Sequence, residues 1–217
     1  MRPQPNPRVV GAMMALAALT VITILSVAAT ARSQSAHTAS VADIQPRRSV
    51  LNVMAGRRAS VAGTIAPGDA GRRVSLQKHR GSHWSTVARA VTGAGGRFRV
   101  SYRPPRPQSA SLRIVSGGHR EPIGRLNAYR RATVSWYGPG LYGNKLGCGG
   151  RLTPSTIGVA NKSLPCGTRL TLRKGGHIVR ARVVDRGPYV GGREFDLTSA
   201  TRQRLHFSGV GSIGVTR

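Results

Sequence analysis

The chain reads as a mainly β protein in two small domains, with one short helix near its C-terminus. Three observations support this. Apolar and polar residues alternate in stretches such as "VSLQ" (74–77) and "FRVSY" (98–102), giving each strand a buried and a solvated face. Gly-rich turns such as "APGDAGR" (66–72) and "GAGGR" (93–97) recur at the spacing of a small β-sandwich. Only "LTSATRQRL" (197–205) reads as a helix, with Thr198 placed to cap it.

Taken in order, residues 1–31 form a signal peptide or a membrane anchor. Two Arg precede an uncharged run from Val9 to Ala31, long enough to span a bilayer. The run closes on "ATA" (29–31), which suits a signal peptidase, and both fates stay open. Either one exports the remainder, with the membrane touched only through this segment. The Cys that a lipid anchor would need does not follow the run. Residues 32–48, "RSQSAHTASVADIQPRR", are polar and aperiodic and read as a flexible linker. Residues 49–116 form the β-sandwich module, with strands at "ASVAGTI", "RRVSLQKH", "HWSTVARAVT", "GRFRVSYRP" and "ASLRIV". Trp84 and Phe98 are its expected core anchors, and the arrangement resembles the immunoglobulin-like modules of exported bacterial proteins. Residues 117–131, "GGHREPIGRLNAYRR", read as a second linker.

Composition bounds the function. A net charge of +28 points to a polyanionic partner, and export points away from nucleic acid and toward anionic polymers of the wall. Thirty of the 34 basic residues are Arg, a bias that GC-rich coding also produces. Seven of the ten aromatics, both Cys and three of the six acids lie at 129–217, so the chemistry is sought there. In an exported chain the isolated pair Cys148 and Cys166 predicts a disulfide. The acids gather in "VVDRGPYVGGREFDLT" (183–198): Asp185 at a strand end, Glu194 on the rim, and Asp196 just before the helix. The residues suggest no metal site and no cofactor, and a monomer is expected.

"SWYGPGLYG", "LTPSTIGVANKSLPCGT", "VVDRGPYVGGREFDLT" and the closing "GVG" together resemble the rare lipoprotein A family, over about 85 residues in the family's order and spacing. The resemblance implies a six-stranded double-psi β-barrel at 132–217 and action on peptidoglycan glycan strands, as a lytic transglycosylase. It maps the family's acid/base carboxylate onto Asp185 and gives Asp196 a structural role, bonded to backbone at the helix start. Such an enzyme must protonate the glycosidic oxygen, and the same carboxylate can then take a proton from the muramic acid's own hydroxyl. Asn161, Tyr137, Tyr142, Arg186 and Tyr189 are the expected substrate contacts. Two positions depart from the pattern: Asn161 stands where relatives carry His, and Gly150 where they carry Glu. The alternative is a non-catalytic, expansin-like module that grips glycan through these aromatics and Trp136.

Overall fold

The computed structural model describes residues 43–217, so the apolar segment at 1–31 and most of the linker expected at 32–48 lie outside them. The described chain runs β1 (Asp43–Val50), β2 (Asn52–Met54), β3 (Ala59–Ala66), β4 (Arg73–Arg80), β5 (His83–Val91), β6 (Arg97–Tyr102), β7 (Gln108–Ser116) and β8 (His119–Tyr137). It continues through β9 (Val159–Ala160), β10 (Arg169–Lys174), β11 (His177–Asp185), β12 (Phe195–Thr198), α1 (Ser199–Arg204) and β13 (Gly211–Val215).

The first half is two sheets over one core. A three-stranded sheet, β1-β3-β6, faces the antiparallel run β5-β4-β7-β8. Between them lie Ile44, Val61, Ile65, Val74, Leu76, Phe98, Val100, Leu112, Ile114 and Leu126, all buried. Phe98 is the anchor its alternation implies. Trp84 is not: it is only partly buried, with the Arg113 guanidinium 4.2 Å from its ring centroid and His79 edge-on at 5.0 Å. It lies on the outer face of the sheet, where a stacked cation covers its ring.

Both expected linkers need correction. The stretch 43–48 belongs to β1, an edge strand bulged between Pro46 and Arg48 with only Ile44 buried. The segment 117–131 is β7's turn followed by most of β8, a single strand of 19 residues. Its first seven residues alternate only between half-buried and exposed, with none buried to mark a core face, and Ile123 bulges out of register between Pro122 and Gly124. β8 pairs with β7, then β2, then β13 and β12, so it runs from one half into the other without a break. Asn52 fastens the crossing: its Oδ1 accepts from Asn127 Nδ2 at 2.9 Å and Tyr129 Oη at 3.0 Å, and its carbonyl from Arg173 at 3.1 Å. Burial pushes the Tyr129 phenol up to about 12, against a smaller opposing pull from Arg173.

The second half is a closed barrel. The order β12-β9-β11-β10-β13-β8 returns to β12, because β8 pairs with β12 in parallel. These six strands match the expected number, and closure leaves the barrel without a free edge. Val134, Val159, Leu172, Val183, Phe195, Leu197, Leu205 and Val215 fill the interior. Thr198 caps α1 as the sequence implies: its Oγ1 accepts from the Thr201 amide at 3.4 Å, and it also donates to the Thr156 carbonyl at 2.6 Å.

Candidate active site

β9 has only two residues, and it brings the two aspartates together. Asp185 on β11 and Asp196 on β12 both pair with Ala160, from opposite sides. At the usual strand spacing their backbones are roughly 10 Å apart.

Asp185 ends β11 and is half-buried. Its Oδ1 accepts from the Gly147 amide at 2.7 Å and from the Arg186 amide at 2.8 Å. No group of the described protein donates a hydrogen bond to Oδ2, and Asp185 has no ion-pair partner among the described residues. One oxygen is therefore held by two backbone amides and the other by none.

Gly147 was not singled out in the sequence, and the site depends on it. A Cβ there would stand 2.9 Å from Arg186 Cγ and 3.1 Å from Asp185 Oδ1, so any side chain would press the loop away from the carboxylate. The only local signal is its place before Cys148 in "LGCGG". The expected disulfide is present, with the Cα atoms of Cys148 and Cys166 5.5 Å apart. It ties the Gly147 loop to the 161–168 loop.

Asn161 and Arg186 are not open substrate contacts. Asn161 is buried; its Oδ1 accepts from the amides of Ser163 (3.1 Å) and Leu164 (2.8 Å), and its Nδ2 donates to the Glu194 carbonyl at 2.9 Å. Arg186 turns from Asp185 and donates to the carbonyls of Asn161 (3.0 Å) and Leu164 (2.8 Å) and to Cys166 Sγ (2.9 Å). Both staple the loop that backs the site.

Asp196 is also corrected. Its Oδ1 accepts from the Ser135 hydroxyl on β8, not from the backbone at the helix start, where Thr198 already serves. Arg193 reaches the same hydroxyl at 3.1 Å. Asp196 is thus held through a side chain of β8 and not through the helix backbone. Glu194 pairs with Arg130 at 2.7 Å on the rim.

The aromatics divide. Tyr189 is 83% exposed and Tyr142 39%, so both rings reach solvent. Trp136 packs on the barrel core, and the Arg202 guanidinium covers its ring at 4.1 Å. Tyr137 lies beneath the site. Burial, then the nearby Asp185 charge, holds its phenol well above the usual range, and Asp196 adds to the effect. The hydroxyl lies near the Asp185 carboxylate without closing a hydrogen bond of standard geometry.

Residues 130–217, the whole of the closed barrel, match the family model described as lytic transglycolase. Over these residues the chain is similar to the rare lipoprotein A-like double-psi β-barrel family. A probable endolytic peptidoglycan transglycosylase RlpA of Synechocystis is 32% identical over 110 residues, 49% of this chain and 34% of that protein. A probable RlpA of Aquifex aeolicus is 42% identical over 79 residues, 36% of this chain and 35% of its own. An endolytic peptidoglycan transglycosylase RlpA of Pseudomonas aeruginosa is 30% identical over 162 residues, 71% of this chain and 44% of its own. The chain thus spans a third to under half the length of these RlpA relatives.

Proposed function

We propose that this chain is an exported peptidoglycan lytic transglycosylase, with Asp185 as the acid/base group. The observation that carries the reading is the carboxylate itself: one oxygen held by two backbone amides and the other without a protein donor. The names of the RlpA relatives supply the substrate class. Protonated at Oδ2, Asp185 gives its proton to the glycosidic oxygen as the C1–O bond breaks. The resulting carboxylate takes the proton of the muramoyl 6-hydroxyl, whose oxygen closes on C1 to form a 1,6-anhydro ring. No water is consumed, so one carboxylate serves both steps. Tyr142 and Tyr189 are the stacking surfaces for neighbouring sugars.

A second reading rests on one observation. The Asn161 side chain is committed to its loop, and Gly150 has no side chain, so neither supplies a proton where relatives carry His and Glu. The domain would then grip glycan without cutting it. Digestion of purified glycan strands with the full-length chain, read by mass spectrometry for anhydro ends, separates the two. Anhydro products that vanish in Asp185→Asn support the enzyme. Retention on glycan with no product from the wild type replaces it with the binding module.

A further inference from the structure

A cavity of about 1570 Å³ opens between the β5-β4-β7-β8 sheet and the barrel, away from Asp185. Neither Asp185, Asp196, Tyr137 nor Tyr189 lines it. One wall carries Lys78, Arg80, Arg106 and Arg125; the other carries Arg169, Arg180 and Arg182. No Asp or Glu lines it. The only ion pairs among the described residues, Arg72 with Asp69 and Arg130 with Glu194, lie elsewhere. Lys78 donates to Gln108 Oε1 at 2.6 Å, and Arg125 to the Ser111 hydroxyl at 3.4 Å; neither contact neutralises its cation.

The placement on the barrel wall is specific. Arg180 and Arg182 alternate along β11 with buried Val179, Ala181 and Val183, so both point outward on one face, roughly 7 Å apart. Arg169 pairs directly with Arg182 across the hairpin, and like charges set opposite one another destabilise a sheet. An anion between the forks would turn that repulsion into attraction, since guanidinium groups bind oxyanions in a planar, bidentate manner. Cationic walls facing each other across a cleft also focus the field more strongly than the same charges on a convex surface.

We propose that this cleft is a second binding site, for a linear polyanion whose phosphate or carboxylate groups recur along a flexible backbone without bases. The cleft's only aromatics are Tyr102 and His79, with the Tyr102 hydroxyl turned to Lys78 at 3.5 Å. It therefore lacks the rows of stacking rings on which single-stranded nucleic acid binds. The site works independently of Asp185: it holds the protein on an anionic polymer while the other end meets glycan.

The test is affinity of the full-length chain for inorganic polyphosphate and for polygalacturonate at about 0.15 M salt, where exposed charges more than about 8 Å apart are largely screened. The triple variant Arg169→Gln, Arg180→Gln, Arg182→Gln should weaken binding at least about tenfold, with a shallower salt dependence. Arg106→Gln with Arg125→Gln, on the facing wall, should weaken it as well. The equally charged control Arg57→Gln, Arg97→Gln, Arg99→Gln, exposed and outside the cleft, should change it less than about threefold. Binding of polyphosphate alone identifies a phosphate polymer, and of polygalacturonate alone a uronate. Equal losses in cleft and control triples would overturn the site in favour of diffuse charge. So would absence of binding by both polymers, or tighter binding of a single-stranded oligonucleotide of matched charge. Anhydro-product release is unaffected by these outcomes, so this test and that of Asp185 fail separately.

Discussion

Two carboxylates flank the same short strand and meet different fates. Around Asp185 the donors are backbone amides of loops, which approach from outside the barrel and hold one oxygen only. Around Asp196 the partner is the Ser135 hydroxyl on a neighbouring barrel strand, itself contacted by Arg193. Loop amides aim a carboxylate outward; a strand side chain ties it to the wall. The difference is one of architecture, since both residues are Asp, both half-buried and both paired with Ala160.

The largest effect expected breaks that contrast directly. Asp185→Asn should lower anhydro-product formation by about 10²–10⁴-fold, the usual worth of a general acid/base, with the melting temperature little changed. Asp196→Asn should reverse the pattern, costing about 1 kcal/mol of stability and leaving turnover within a few-fold. Equal activity losses at the two positions would put both in the chemistry.

The supports of the Asp185 end come next. Cys166→Ser, or reduction, opens a bridge between residues 18 apart and should cost about 3 kcal/mol on the chain-entropy model, read as a lower melting temperature. Asn161→Ala removes three hydrogen bonds of the backing loop and should cost about 2 kcal/mol. Asn161→His, the residue the family resemblance implies here, offers a single lone pair where Asn161 Oδ1 accepts two hydrogen bonds, and should destabilise by about 1 kcal/mol. Gly147→Ala sharpens the comparison differently. The added methyl pushes the loop off Asp185 Oδ1, so turnover should fall while the carboxylate remains; unchanged turnover would mean that the amide does not aim it.

What was legible in the sequence follows from range. Strands β3 to β7 show through their alternation and the helix through the Thr198 cap, because each is a local pattern. β1 stayed hidden since an edge strand with one buried residue looks like a polar tether, and β8 because its first seven residues include no buried position. The disulfide was legible from the isolated Cys pair and its compartment, and the place of Asp185 at a strand end from its segment. The role of Gly147 was not, for it arises only when a loop 38 residues away folds against the strand end. Asn161 and Arg186 were found but assigned to substrate, because nothing in their own segments shows that the loop consumes their hydrogen bonds.

The smallest effect on stability, and the finest probe of the contrast, belongs to Tyr137. Its hydroxyl is buried without a hydrogen-bond partner and near both carboxylates, so Tyr137→Phe removes an unsatisfied polar group and should be neutral or slightly stabilising at pH 7. The pH dependence has a definite sign. A phenol held above its ordinary value stays protonated in the folded chain while the unfolded chain ionises, so its contribution is complete below about pH 10 and is lost as pH rises beyond it. Unfolding midpoints measured from pH 7 upward should therefore fall less steeply in Tyr137→Phe than in the wild type. Some slope should remain from Tyr129, whose phenol lies at about 12. If turnover at pH 7 drops in the same variant while stability does not, the hydroxyl positions the Asp185 carboxylate. Unchanged turnover would make Tyr137 floor alone and leave the aiming of Asp185 to the loop amides.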